Sequence, residues 1–147
     1  MSAAQFTGQY THNLDSKDRL TIPAAFKEQF RTGVVLSPGV DGCVWVYTPE
    51  AWETFAEKLN ALPNDKEGRT LKRIFFNNTK KDMLDKSGRV GIPAHLKAHA
   101  NITKTVVVAG SYDKLEIWSA ETWSETGTDD PETFNAAYDL AAEKGLL

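Results

Sequence analysis

Fourteen residues near the start of this chain come back seventy positions later. Leu14-Asp15-Ser16-Lys17-Asp18-Arg19-Leu20-Thr21-Ile22-Pro23-Ala24-Ala25-Phe26-Lys27 reads against Leu84-Asp85-Lys86-Ser87-Gly88-Arg89-Val90-Gly91-Ile92-Pro93-Ala94-His95-Leu96-Lys97, with seven positions identical. A repeat of this kind constrains a fold more than any local propensity, because both copies must adopt similar local structure. It predicts one small module built twice, with any working surface of the module presented at least twice.

The two copies share more than the central motif. The first predicts a strand over Phe6–His12, then strand, turn and strand over Leu14–Ile22. Pro23 stands where a short helix would begin, since its fixed φ and missing N–H suit the first helical position. Phe26 and Phe30 fall one turn apart on that helix. Val34–Leu36 and Cys43–Tyr47 are β-rich, and the turn formers Ser37 to Gly42 between them predict a hairpin. Thr48-Pro49-Glu50 reads as cap, proline and first-turn acid of a helix that carries Trp52, Phe55, Ala56 and Leu59. The second copy predicts strands at Met83-Leu84, Val90–Ile92, Thr105–Ala109 and Leu115–Trp118, with a short helix over Pro93–Ala100. Its exit, Ile117 to Trp123, matches Val46 to Trp52.

Between the copies, Leu62–Asp65 stops one helix and caps another, on which Leu71, Ile74, Phe75 and Asn78 share a face. After the second copy, a helix is predicted from Asp130 and Pro131 to Lys144, with an apolar stripe of Phe134, Tyr138 and Ala141. The organisation expected is one α+β domain over 1–147. It comprises repeats at about 6–62 and 82–124, a linker helix at about 64–80 and a C-terminal helix at about 131–144.

Charge is unevenly placed. The net charge is −3, but residues 69–104 carry nine Lys/Arg against Asp82 and Asp85, and residues 115–147 carry eight Asp/Glu against Lys144. This pattern fits a basic working face beside an acidic tail, and it fits a set of solvated helices equally well. Cys43 is a lone cysteine in an apolar run, so no disulfide framework is expected, and a reducing compartment fits best. Met1–Phe6 predicts no signal peptide, and the longest apolar runs are too short to cross a bilayer.

The motifs of catalysis are missing. His12, His95 and His99 lack metal-ligand spacing with Cys or carboxylates, and Leu96 after His95 breaks the HExxH pattern, so they read as solvent-facing. The sequence has no phosphate-binding glycine loop, nucleophile elbow or cysteine pair. No enzyme activity, metal or cofactor is expected. What stands out is the repeated turn, in which Asp15 and Arg19, like Asp85 and Arg89, lie four apart. The Asp can accept backbone N–H groups of its own turn, and the Arg can return to it as a charge-assisted fork. The turn can equally hold Lys17 and Arg19, or Lys86 and Arg89, outward to read phosphates and base edges. One loop can do both.

The doubled Asp-x-x-x-Arg turn followed by an Ile-Pro helix start resembles the MraZ family. So do Gly8-Gln9-Tyr10, Asn13 to Lys17, Trp45 to Trp52 and Leu115-Glu116-Ile117-Trp118. The resemblance covers residues 6 to about 124. It implies an internally duplicated, AbrB-like swapped-hairpin β-barrel with peripheral helices. It also implies a non-enzymatic, cytoplasmic and nucleoid-associated transcriptional regulator. Such a regulator binds, as a ring of identical chains, to short direct repeats of double-stranded DNA upstream of its own division and cell-wall operon, most often as a repressor. The DNA-contacting residues would be Lys17, Arg19, Lys86 and Arg89, with Asp15 and Asp85 structuring the loops. The family commonly has glycine before the Arg. Gly88 keeps it; Asp18 replaces it in the first copy, and its charge is expected to oppose an approaching phosphate. The rival class is a ring-forming protein-interaction module or antitoxin-like partner binder.

Overall fold

The β-branched runs form antiparallel strands, and the Thr-Pro and Asp signals start helices. A computed structural model describes residues 5–147; Met1–Ala4, on which most of the signal-peptide expectation rests, lie outside them. In chain order the elements are β1 (Gln9–Asn13), β2 (Arg19–Thr21), a 3-10 helix (Lys27–Phe30), β3 (Val34–Pro38), β4 (Val44–Tyr47), α1 (Pro49–Asn60) and α2 (Lys66–Asn78). They continue as β5 (Lys80–Asp82), β6 (Arg89–Gly91), α3 (Ala94–His99), β7 (Thr105–Gly110), β8 (Leu115–Ser119), α4 (Ala120–Thr126) and α5 (Pro131–Glu143). The result is an α+β fold.

The starts of α1, α2 and α4 follow the capping rule, in which a side-chain oxygen accepts an otherwise unpaired first-turn N–H. Thr48 accepts from Ala51 at 3.2 Å, Asp65 from Gly68 at 2.8 Å and Ser119 from Thr122 at 3.0 Å. Thr48 and Ser119 are repeat equivalents, so the exit helices α1 and α4 begin alike.

The strands assemble by exchange between the repeats. One sheet has the order β1-β7-β8-β4-β3-β5, and β2 pairs with β6 in a second, two-stranded sheet. The hairpins β3–β4 and β7–β8 lie within single repeats. The other four pairings join one repeat to the other: β1 to β7, β5 to β3, β4 to β8 and β2 to β6. The registers obey an approximate two-fold. Leu20 faces its own equivalent Val90, flanked by Arg19↔Gly91 and Thr21↔Arg89.

The main core lies between the two sheets. Leu20, Ile22, Val90 and Ile92 from the β2–β6 side meet Val34, Leu36, Val44, Val46, Val106, Val108, Leu115 and Ile117 from the larger sheet. Phe6, Phe26 and Phe30 fill one end, the Phe6 ring lying 5.3 Å from each of the other two. The opposite face of the larger sheet is also covered. Val35 and Tyr47 pack with Trp52, Leu59 and Phe75 of α1 and α2, and Val107 and Trp118 pack with Cys43 and Trp123. Burial on both faces explains why these strands read as continuous apolar runs.

Several expectations need correction. The larger sheet does not close: β1 and β5 are its edges and do not pair with each other, so the barrel expected from the resemblance is not closed by backbone hydrogen bonds. β1 starts at Gln9 because Gly8, at φ +90°, interrupts the extended run; Phe6 forms only a single bridge to Tyr112. Pro23 opens a turn, not a helix, and the chain coils as a 3-10 helix four residues later. Both Phe26, just before the 3-10 helix, and Phe30, at its end, reach the Phe6 ring. Ser37 and Pro38 belong to β3, and the reversal is made by the residues after them, with Asp41 and Gly42 at positive φ. The strand expected at Met83-Leu84 lies three residues earlier as β5, and Asp82 turns its carboxylate onto the Met83 N–H at 2.8 Å. On α2 only Phe75 of the expected face is buried among large side chains, while Leu71 and Ile74 remain exposed.

Candidate nucleic-acid interface

Each Asp-x-x-x-Arg loop is folded around its aspartate. In the first, Asp15 Oδ1 accepts the backbone N–H groups of Lys17 and Arg19, both at 2.9 Å, and Oδ2 accepts Arg19 Nε–H at 2.8 Å. In the second, Asp85 Oδ1 accepts from Ser87 and Arg89 at 2.9 Å each, and Oδ2 accepts Arg89 Nε–H at 2.9 Å. The main chain closes identically: Asp15 and Asp85 donate to the carbonyls of Arg19 and Arg89, and Asp18 and Gly88 donate to those of Asp15 and Asp85. Such a turn needs a left-handed residue just before the arginine. Gly88 supplies it at φ +75° and Asp18 at φ +57°, a region Asp tolerates better than most residues.

The electrostatics follow from this geometry. The backbone N–H of Arg19 is the largest influence holding the Asp15 carboxyl below its ordinary value, helped by the Arg19 side chain and the Lys17 N–H. Arg89 and Ser87 act in the same way on Asp85. Both loops therefore stay ionised and braced at neutral pH. Because each guanidinium binds its aspartate through Nε, its outer edge is left for other partners. Neither arginine's Nη groups make a hydrogen bond among the described residues. A second carboxylate stands across the repeat boundary, where Arg89 Nη1 lies 3.6 Å from Asp15 Oδ2. Lys17 and Lys86 are exposed on the loop tips without a salt bridge among the described residues.

The fold joins the two loops into one surface. Beyond the β2–β6 pairing, Ile22 N–H donates to the Gly88 carbonyl at 3.0 Å and Ile92 N–H to the Asp18 carbonyl at 2.9 Å. All six residues singled out from sequence therefore sit on one composite surface.

Two residues not singled out also belong there. Lys97 Nζ lies 2.7 Å from Asp18 Oδ1, and Lys27 Nζ lies 3.5 Å from the Ser87 carbonyl. Lys27 and Lys97 are repeat equivalents, and each serves the loop of the other repeat. Their signal in the sequence was the identity at the last position of the fourteen-residue match.

The remaining candidates are structural. His95 and His99 are exposed, and Nε2 of each lies within hydrogen-bond distance of a carbonyl, Asn78 at 3.0 Å and Gly39 at 2.9 Å. Cys43 is fully buried, and burial pushes its thiol up to about 12. Among the described residues, no three His, Cys, Asp or Glu side chains cluster in a way that suits a metal ion, and no helix is long and apolar enough to cross a membrane.

Comparison with known proteins agrees with the duplicated architecture. The family model described as "MraZ protein, putative antitoxin-like" matches twice, over residues 5–74 and 75–138. Several proteins named transcriptional regulator MraZ are similar over most of the chain. That of Heliobacterium modesticaldum is 40% identical over 140 residues, 95% of either chain. That of Lachnoclostridium phytofermentans is 40% identical over 124 residues, covering 84% of this chain and 88% of the relative. That of Caldanaerobacter subterraneus subsp. tengcongensis is 43% identical over 119 residues, covering 80% and 83%. The chain therefore belongs to the MraZ family of transcriptional regulators, a non-enzymatic family, and carries the family domain twice.

Proposed function

We propose that this protein is a sequence-specific DNA-binding regulator, acting as a repressor at short direct repeats upstream of its own division and cell-wall operon. The observation that carries this reading is the pair of aspartate-braced arginines on one surface. Each guanidinium is fixed through Nε, so its Nη edge is pre-oriented for a base edge or a phosphate, at little further entropic cost on binding. Arg19 and Arg89 are the readers; Lys17 and Lys86 are phosphate contacts; Asp15 and Asp85 hold the loops. The pairing of β2 with β6 across the repeats supports an AbrB-type swapped hairpin, and the wider exchange of strands supports a single cooperative domain over both repeats. The protein works in the cytoplasm at the nucleoid.

The working form is a homo-oligomeric ring. Loops that each read few bases bind weakly, and a ring that sets several in register gains effective concentration. Leu71 and Ile74, neighbours one turn apart on α2, are both exposed and offer an apolar patch that a neighbouring copy would cover. The antitoxin-like description of the family favours a second reading, a partner-binding module using the same scaffold. A salt-titrated mobility-shift assay with the DNA just upstream of this protein's own gene separates them. DNA affinity should fall steeply with salt, through release of counterions from phosphate. No shift at low salt would overturn the DNA reading in favour of the partner-binding one.

A further inference from the structure

The two loops share one backbone geometry but not one charge. We propose that they are functionally unequal: Lys27 is an additional phosphate contact of the second loop, whereas its equivalent Lys97 is occupied as the counter-ion of Asp18 in the first. This rests on the DNA-binding reading above.

The asymmetry has a local cause. Gly88 has no side chain, so the Lys27 stem lies directly over it. A Cβ at position 88 would stand only 2.5 Å from Lys27 Cε. Lys27 reaches the Ser87 carbonyl at a long 3.5 Å, and no carboxylate lies within salt-bridge distance of it among the described residues. Its ammonium is thus held at the edge of the loop with hydrogen-bonding capacity to spare. In the first loop, Asp18 replaces the glycine, and Lys97 closes onto its carboxylate at 2.7 Å. That ion pair also removes the repulsion that the Asp18 charge would otherwise offer to phosphate. With Asp85, Lys86, Arg89 and Lys27 counted, the second loop carries +2; with Asp15, Lys17, Asp18, Arg19 and Lys97, the first carries +1. The second loop is then the principal electrostatic contact, and the first is the weaker reader.

The test is the salt dependence of binding to a duplex carrying the DNA immediately upstream of this protein's own gene, beside an unrelated duplex of equal length. Lys27→Gln keeps the stem and removes the charge. It should weaken binding to both duplexes about threefold to tenfold at low salt and flatten the salt slope by about one unit for each second loop engaged. Lys27→Arg should retain wild-type behaviour. Asp18→Gly should release Lys97, tighten binding and steepen the slope by about one unit per first loop, and Lys97→Gln added to it should return the slope to that of wild type. Thermal melts of each variant report folding. Wild-type affinity and slope in Lys27→Gln, with binding lost in Arg89→Ala, would overturn this inference and leave the DNA reading intact. Failure of the wild-type protein to shift either duplex would overturn the DNA reading and this inference together.

Discussion

Leu20 of β2 stands directly across the ladder from Val90 of β6, its own counterpart in the other repeat, and both are buried. The molecule is therefore joined at its approximate symmetry axis by a pair of equivalent side chains. The strands on either side of the main core are likewise completed by the other repeat. A single repeat would lose all four pairings to the other and keep half a core.

A fragment of residues 1–68 should consequently fail to fold by itself. Circular dichroism and amide-proton dispersion should show an unfolded chain, whereas co-expression with residues 69–147 should restore structure. Within the full chain, Leu20→Ala should cost about 2–5 kcal/mol, because it opens a cavity where the repeats meet. A stable folded monomer from residues 1–68 would show the repeats to be independent domains.

Acid should loosen both loops. Asp15 and Asp85 have carboxyls held below the ordinary 3.8, so their contribution to stability is fully present above that value and is lost as pH falls through the lowered folded-state values. Asp15→Asn and Asp85→Asn remove this dependence. The gap in melting temperature between wild type and either variant should be widest near neutrality and should close below about pH 4. A gap of constant size down to acid pH would mean that the carboxylate charge contributes nothing to the brace.

The repeat makes much of this architecture legible in the sequence. Most equivalent segments form equivalent elements, although Pro23 opens a turn where Pro93 leads α3, and the Thr48 and Ser119 caps form as their residue types predict. Pairing partners were another matter. Nothing in the local pattern of Thr105–Ala109 says that it receives β1 from the other repeat, because strand exchange is decided by the whole core. Phe26 and Phe30 carry an α-helical spacing and both meet Phe6, yet the segment coils only over Lys27–Phe30, as a 3-10 helix. The loops were the most legible part of the site, since Asp15 and Arg19 interact over four residues through short-range hydrogen bonds. Lys27 and Lys97 were harder to recognise, as each acts about sixty or eighty residues away, on the opposite loop.

Assembly should be visible directly. Light scattering at micromolar concentration should give a mass several times the 16.3 kDa of one chain. Ile74 is exposed beside Leu71 on α2, so Ile74→Asp should lower that mass while leaving the melt of the single chain nearly unchanged. A wild-type protein that stays monomeric at every concentration would contradict the ring.

Aspartate and arginine of the same loop should fail differently when removed. Asp15 accepts two backbone N–H groups as well as Arg19 Nε–H, so Asp15→Ala leaves the turn without its internal acceptor and should lower the melting temperature. Arg19→Ala removes only the last of these bonds, and the Asp15 bonds to the backbone persist. Its melt should therefore shift little. Its DNA affinity should fall, by about 1–3 kcal/mol in discrimination if the lost contact is bidentate to a base. Every subunit of a ring loses the same contact, so avidity enlarges the defect. Asp85→Ala and Arg89→Ala should repeat the pattern. If the arginines served only to pair with the aspartates, Asp15→Ala and Arg19→Ala would destabilise equally, and the double variant would be no worse than either alone. We expect instead that the double variant combines the stability loss of Asp15→Ala with the DNA loss of Arg19→Ala. An Arg19→Ala, Arg89→Ala protein that held its operator as tightly as wild type would remove the two arginines from the interface.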